Sequence, residues 1–321
     1  MQGFGQSGGA CSNPRPETRN PKPEEVTALP TPIAYRSYAK INLYLEVLGR
    51  RRDGYHDIET IFQTVGLADE LHFTEASSGV AIVCSTPELD TTESNLVHRA
   101  AVLLQERTAC SLGTRIDLNK RIPIAAGLAG GSGNAAAALV ALNSLWDLRL
   151  SHAELRTLAL ELGSDVPYCL VGGTVAATRR GEEMIPLSPL PDAWFVLLHP
   201  AIAISASRVY NSPRLRYSGE RVFAGRTPGF RKTIRALEHG EFADVVFNRM
   251  EEPVFAGHPQ LAEAKQRLID AGCIAAAMSG SGSTLFGVCR DKSHALRVAE
   301  TFHDYKTSVV RNVPAGLEQI Q

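Results

Sequence analysis

Four short stretches carry the residue types that chemistry needs. Residues 123 to 139 read PIAAGLAGGSGNAAAAL, with four glycines in seven residues (Gly127, Gly130, Gly131, Gly133) directly ahead of an alanine run. Glycine costs about 1 kcal/mol relative to alanine in a helix interior, so the alanines read as helix and the glycines as the loop feeding its N-terminus. Such a loop lets backbone N–H groups approach an anion, and the helix dipole adds roughly half a positive charge there; phosphate is the usual anion. A tight turn packed on a strand would use the same glycines. The loop is neither a Walker A motif, since Asn134 follows Gly133 where lysine is required, nor a GxGxxG loop with a ribose-binding acid. The other three stretches are SYAKINL with Lys40, LGSDVP with Asp165, and SGSGST at 279–284. Taken singly, each also has a plain structural explanation: a solvent-facing lysine, a turn-forming aspartate, a flexible hairpin.

The elements that must position these groups follow from periodicity. SYAKINLYLEV alternates Ile41, Leu43, Leu45 and Val47 against Asn42, Tyr44 and Glu46, the pattern of a half-buried strand. HDIETIFQTV, DELHFTEA, GVAIVCS and TRIDLNKRI read as further strands. SNLVHRAAVLLQERTA has helical spacing with Ser94 as its cap. The alanine-rich helix is expected from Asn134 to about Leu148. SHAELRTLALEL opens on the capping box Ser151/Glu154 and stops at Gly163, and Pro167 biases Val166 away from helix. From WFVLLHP onward, helices near 231–248 and 259–271, strands IAAAM and TLFGVC, a helix near 293–303 and the strand TSVVRNV suggest a two-layer α/β sandwich. Residues 211–230 are polar and turn-rich, a mobile crossing loop. The expected division is a disordered tail at 1–30, an N-terminal domain at 31–178 and a C-terminal domain at 179–321.

Composition narrows the function. With 33 basic and 34 acidic residues the net charge is −1, and no segment forms a basic stripe, so a nucleic-acid partner has no electrostatic support. The six cysteines include no CxxC pair, which points to reduced thiols and a cytoplasmic setting. None of the nine histidines sits in an HExxH motif, so no dedicated protein metal cage is expected. No apolar run approaches the roughly 20 residues of a membrane helix, and no membrane association is expected. The first 30 residues carry Glu17, Glu24 and Glu25 and lack the apolar core of a secretory signal. The expected assembly is a monomer or weak homodimer.

Together the four stretches, in their order and flanks, resemble the GHMP small-molecule kinases, the superfamily of galactokinase and of homoserine, mevalonate and phosphomevalonate kinases. The resemblance runs from Ser37 to Val313. Its most specific part is AKINLYLEVLGRRRDGYHDIETIFQTV, Ala39 to Val65. This is similar to the branch acting on cytidine-diphosphate-linked methylerythritol; other members share the glycine loop but not the DGYH stretch. The resemblance implies an α+β, two-domain GHMP kinase fold: an N-terminal domain like that of ribosomal protein S5 and a ferredoxin-like C-terminal α/β sandwich. It implies ATP and Mg²⁺ as cofactors and CDP-methylerythritol as the small-molecule substrate, phosphorylated on its tertiary 2-hydroxyl in isoprenoid precursor synthesis.

Residue by residue, the resemblance implies that Lys40 and Asp165 flank the acceptor hydroxyl. Physical chemistry agrees: phosphoryl transfer asks for positioning and charge stabilisation, and a lysine beside an aspartate keeps the carboxylate ionised and able to accept a proton. The ATP loop corresponds to Pro123, Ile124, Ala125, Ala126, Gly127, Leu128, Ala129, Gly130, Gly131, Ser132 and Gly133, with Asn95, Lys120 and the SGSGST loop as weaker nucleotide-side candidates. Ala125 and Ala126 stand where the family commonly has glycine, and Gly133 where serine is frequent, leaving Ser132 as the hydroxyl for phosphate or Mg²⁺. The resemblance sets a cytosine between Tyr55 and Tyr210, with His56 reading its edge, and Asn42 against methylerythritol. Two alternatives stand beside this reading: another GHMP kinase, for mevalonate or homoserine, and a non-catalytic sensor on the same scaffold. The presence of both Lys40 and Asp165 argues against the sensor.

Overall fold

The protein is described by a computed structural model covering residue 3 and residues 32–321. The tail expected over 1–30 lies, Gly3 apart, outside these residues, as does Cys11. The first strand is longer than its core motif: β1 is Ile33–Arg50, and β2, His56–Ala76, joins two expected strands into one. Next come β3 (Val80–Cys84), helix α1 (Leu96–Thr108), β4 (Gly113–Asn119), α2 (Gly130–Leu145) and α3 (His152–Leu162). Helix α4 (Val166–Val171) precedes the hairpin of β5 (Thr174–Arg179) and β6 (Glu183–Pro186). The second half holds β7 (Trp194–His199), α5 (Ala206–Tyr210), α6 (Pro228–Glu238), α7 (Phe242–Val245), β8 (Phe247–Asn248), α8 (Glu251–Gly257) and α9 (Pro259–Asp270). It ends with β9 (Ala275–Met278), β10 (Leu285–Cys289), α10 (Lys292–Glu300), β11 (Lys306–Arg311) and β12 (Leu317–Ile320).

Among the described residues, eight strands form one sheet, with β12-β1-β2-β4-β3 as its spine. Strand β2 pairs with β1 along one edge and shares the other between two strands: Ile58–Gln63 pairs with β5 and Glu70–Ala76 with β4. The second sheet is antiparallel, ordered β11-β7-β10-β9, with α9 and α10 packed on it. This mixture of helix and sheet is the α+β architecture expected. The expected division between 178 and 179 falls inside the β5–β6 hairpin, and β12, which no periodicity announced, returns to the first sheet beside β1.

Strand β1 is not half-buried. Both of its faces are covered, because α2 packs across it and its other face meets the second half of the chain. Ile41 and Leu43 share a core with Phe195, Phe230 and Phe286, which joins the two sheets. Each such fully buried aliphatic side chain contributes roughly 1.5–3 kcal/mol. Helix α2 is buried all round, with Ala135 to Leu139 at 0% exposure. Its small side chains let α1, α3, α4 and the sheet approach closely.

Local signals resolved in different ways. The Ser151/Glu154 capping box forms as expected. Helix α1 is capped by Asn95, whose side chain accepts from the Val97 amide, while Ser94 donates to Asp90. Pro167 does not exclude helix: it occupies the first turn of α4, where no amide hydrogen is needed. Helix α2 starts at Gly130, so Gly130, Gly131, Ser132 and Gly133 form its first turn and not the loop before it.

Candidate active site

The loop before α2 turns on Gly127, held at φ 77°, a conformation that an L side chain adopts only with strain. A Cβ there would also collide with the carbonyl of Ser279, since the SGSGST loop lies directly against this one. Ser279 Oγ donates to Gly127 O (2.9 Å), and Thr284 N donates to Ala126 O (3.2 Å). The second loop is therefore a brace for the first rather than a free hairpin. Asn248 secures it by donating to the carbonyls of Met278 and Gly280, both at 2.7 Å.

Lys40 projects from β1 into the junction of these loops. A register shift between Asn42 and Tyr44 inserts an extra residue here, the kind of bulge that re-aims neighbouring side chains. Its ammonium donates to Asn42 Oδ1 (2.7 Å) and Gly127 O (3.1 Å), and lies 3.6 Å from Asp165 Oδ2. An ammonium has three protons; hydrogen bonds to Asn42 and Gly127 take two of them, and the third is left for the side that Asp165 faces. The Lys40 side chain is 5% exposed and that of Asp165 36%, so the carboxylate faces the cavity with the charge that stabilises it behind. Asn42 completes the group by donating to Thr60 Oγ1 (2.8 Å).

Two cavities meet at this point. One, of about 500 Å³, is lined by Lys40, Asn42, Tyr55, His56, Asp165 and Tyr210 among others. The second, of about 340 Å³, is lined by Pro123 through Ser132, with Asn95 and Lys120. Gly127, Ala129 and Ser132 belong to both walls. A group bound on the glycine turn and one bound beside Asp165 would thus face each other across three residues.

In the larger cavity the aromatic residues are already paired. His56 stacks on Tyr210 with centroids 4.9 Å apart, and its Nε2 lies 3.3 Å from the Tyr217 hydroxyl. Tyr55, 51% exposed, is covered by the guanidinium of Arg180 at 3.7 Å. Burial lowers the His56 pKa, with Arg50 adding to the effect, so the imidazole is neutral near pH 7 and offers one donor and one acceptor. Burial likewise raises the Tyr210 phenol. Tyr217, Arg180 and Ser164 were absent from the sequence reading; a tyrosine in a polar loop and an arginine in TRRGEE look like ordinary surface.

In the smaller cavity, Lys120 is not a free cation. It forms a buried ion pair with Asp69, which also accepts from the amides of Arg121 (2.7 Å) and Ile122 (2.8 Å) and so anchors the segment entering the loop. The Asn95 side chain is spent on the α1 cap and on Asp90 O. Asp90, at the cavity mouth, is held at a pKa of about 2 by the Ser94 and Thr92 hydroxyls and the Thr92 amide. Asn134 Oδ1 is buried on this wall without a hydrogen-bond partner among the described residues, which leaves an acceptor for a ligand donor or a water. The described residues hold no cluster of three or more His, Cys, Asp or Glu suited to a metal.

Known proteins share this sequence and fold. The GHMP kinases N terminal domain matches residues 95–173, and the GHMP kinases C terminal domain matches residues 230–306. The 4-diphosphocytidyl-2-C-methyl-D-erythritol kinase of Synechococcus sp. (strain JA-3-3Ab) is 39% identical over 288 residues, 87% of this chain and 93% of the relative. A crystal structure of 4-(cytidine 5'-diphospho)-2C-methyl-D-erythritol kinase superposes with a TM-score of 0.74 at 35% identity, covering 87% of this chain and 98% of that one. Homoserine kinase from Cytophaga hutchinsonii shares the fold, with a TM-score of 0.68 at 18% identity over 90% of this chain and 97% of that one. By the residues of its two matched domains and by its full-length relatives, the chain belongs to the GHMP kinases, in the 4-diphosphocytidyl-2-C-methyl-D-erythritol kinase family.

Proposed function

We propose that this chain transfers the γ-phosphoryl group of ATP to the 2-hydroxyl of 4-diphosphocytidyl-2-C-methyl-D-erythritol, giving the 2-phosphate and ADP. The observation that carries the reading is the Lys40–Asp165 pair at the shared wall of the two cavities. Asp165 accepts the proton of the attacking hydroxyl or orients it. Lys40, 3.6 Å from that carboxylate, stabilises the charge that develops on the transferred group. Asn42 holds the Lys40 ammonium and contacts the methylerythritol end.

On the nucleotide side, residues 123–133 cradle the triphosphate through backbone amides and the N-terminus of α2. Lys120 supports this cradle through Asp69, and Asn95 shapes its rim. When bound, Mg²⁺ supplies charge neutralisation of the phosphates. Ser132, on the wall that the two cavities share, would be the residue that holds it. On the acceptor side, Tyr55 and Tyr210 supply stacking faces for cytosine and neutral His56 reads its edge. For an incoming base, Arg180 or His56 must shift from the ring it now covers. The free cysteines Cys84, Cys110, Cys169, Cys273 and Cys289 suit a reducing, cytoplasmic setting.

A coupled assay for ADP with CDP-methylerythritol as acceptor tests the proposal. Turnover should depend on both ATP and this acceptor and be lost on chelation of divalent metal. Phosphorylation of mevalonate or homoserine with none of CDP-methylerythritol would overturn it.

A further inference from the structure

Gly287 lies in the middle of β10, where a glycine weakens a strand. Its place is explained by a sulfur: a Cβ at this position would stand 2.6 Å from Cys273 Sγ. The slot so opened brings Cys273 Sγ to 3.8 Å from Cys289 Sγ, and the two thiols share a hydrogen bond. Cys273 leads into β9 and Cys289 ends β10, on either side of the step at which Ile274 N donates to Val288 O (2.8 Å). Both are buried in the core that the second sheet shares with α9 and α10. Among the described residues no other two cysteine sulfurs share a hydrogen bond, and this pair borders neither cavity of the candidate site.

The hydrogen bond makes the two thiols unequal. Donated from Cys289, it lowers the Cys273 pKa against the burial that raises it, while the same bond and burial push the Cys289 thiol up. Cys273 is therefore the sulfur that becomes the thiolate and the nucleophile, with a second thiol beside it. A thiolate next to a resolving thiol is the arrangement that turns oxidation into a reversible bond.

We propose that Cys273 and Cys289 form a modification site, a dithiol that hydrogen peroxide closes into an intramolecular disulfide. Peroxide is small and uncharged, so it enters a buried site that refuses a bulky oxidant. The Cys273 thiolate attacks one peroxide oxygen, the O–O bond breaks, and the departing hydroxide takes up a proton as water. The sulfur, now a sulfenic acid, has given up two electrons. Cys289 sulfur then attacks it; the S–O bond breaks, and the hydroxyl leaves as a second water with the Cys289 proton. Two thiols and one peroxide give one disulfide and two waters. From 3.8 Å, each sulfur moves by about 0.9 Å to reach the bonded separation of about 2.05 Å. The bond ties the base of the β9–β10 hairpin, whose tip at 279–284 braces the Gly127 turn.

The experiment is treatment of the full chain with near-stoichiometric hydrogen peroxide, then unfolding, alkylation and peptide mass mapping. Both sulfurs fall in one tryptic peptide, residues 268–290, because no lysine or arginine interrupts it. That peptide should return unalkylated and lighter by two hydrogens than the dithiol form, and dithiothreitol should restore both alkylation sites. In Cys289→Ser, Cys273 should instead be trapped by dimedone as its sulfenic acid adduct. In Cys273→Ser, Cys289 should remain fully alkylated. A wild-type peptide carrying two alkyl groups after treatment, while Cys84 or Cys110 is oxidised, would overturn the proposal. So would a sulfinic acid on Cys273 beside an alkylated Cys289, or a bond from either sulfur to another cysteine. The wild-type map decides even where a serine variant fails to fold.

Discussion

The Ser37 hydroxyl fills the space that a side chain at Gly133 would need. A Cβ built on Gly133 falls inside contact distance of Ser37 Oγ, while Ser37 Cβ stands 3.7 Å away. Ser37 is fully buried and its hydroxyl has no partner among the described residues. A side chain at this loop position is thus excluded by packing, and the hydroxyl that lies there comes from Ser37 on β1.

This pair makes a double-mutant cycle. Gly133→Ser alone should destabilise by about 1–3 kcal/mol through overpacking. Ser37→Ala alone should be near neutral, since an unpaired buried hydroxyl is lost. The combination should recover most of the deficit, with a coupling of about 1 kcal/mol or more. Thermal or denaturant unfolding measures all four corners; purely additive effects would contradict the packing argument.

Ala125 and Ala129 sit at φ 53° and 56°, in the left-handed region, within the same loop. Ala129 is also the N-cap of α2 and offers no side-chain bond to its amides. Left-handed geometry costs a non-glycine residue about 1–2 kcal/mol, and glycine loses about 0.5–1 kcal/mol of that advantage through its freer unfolded chain. Ala129→Gly and Ala125→Gly should therefore each stabilise modestly, by about 0.5 kcal/mol. A lower unfolding midpoint in both variants would show that the loop carries no such strain.

Tyr217 holds the ring expected to read the base. Removing its hydroxyl with Tyr217→Phe should raise KM for CDP-methylerythritol about 2- to 10-fold, the scale of one neutral hydrogen bond. Turnover at saturation should hardly change. A fall in kcat with KM intact would place Tyr217 in the chemistry rather than in the orientation of His56.

Stability should fall in mild acid through His199. The imidazole is buried, its Nδ1 lacks a partner among the described residues, and Nε2 shares a hydrogen bond with Ser308 Oγ at 2.9 Å. Burial, with Lys306 adding to it, pushes its pKa down to about 4. The unfolded chain, with an ordinary histidine pKa near 6.5, binds the proton first. The contribution is thus whole above about pH 6.5, declines as pH falls, and is gone below about pH 4, a loss of about 3 kcal/mol. His199→Gln should flatten this slope in unfolding experiments between those limits; an unchanged slope would assign it to other groups.

Legibility in the sequence followed the range of the interactions. The Ser151/Glu154 box depends on residues three apart, and it was readable. The strand carrying Lys40 was readable from alternation, but its burial on both faces was not, because α2 and the second sheet supply the cover. The glycines marked the loop ahead of a helix, yet the start of α2 at Gly130 was hidden, since Gly133 is demanded by Ser37 on another element. Lys120 read as a nucleotide ligand because Asp69, its partner, lies on β2. Arg180 and Tyr217 carry no local motif; only the rings they meet, Tyr55 and His56, mark them. The Lys40–Asp165 meeting was reachable through resemblance, and no periodicity would have brought those two residues together.

The central claim is that the Asp165 carboxylate, held beside the Lys40 ammonium, acts on the acceptor hydroxyl. Single-turnover phosphoryl transfer by Asp165→Asn, with ATP binding measured on the same protein, tests it most directly. The account predicts a transfer rate about 10²- to 10⁴-fold below wild type with ATP affinity essentially retained. A variant that transfers at close to the wild-type rate would contradict it.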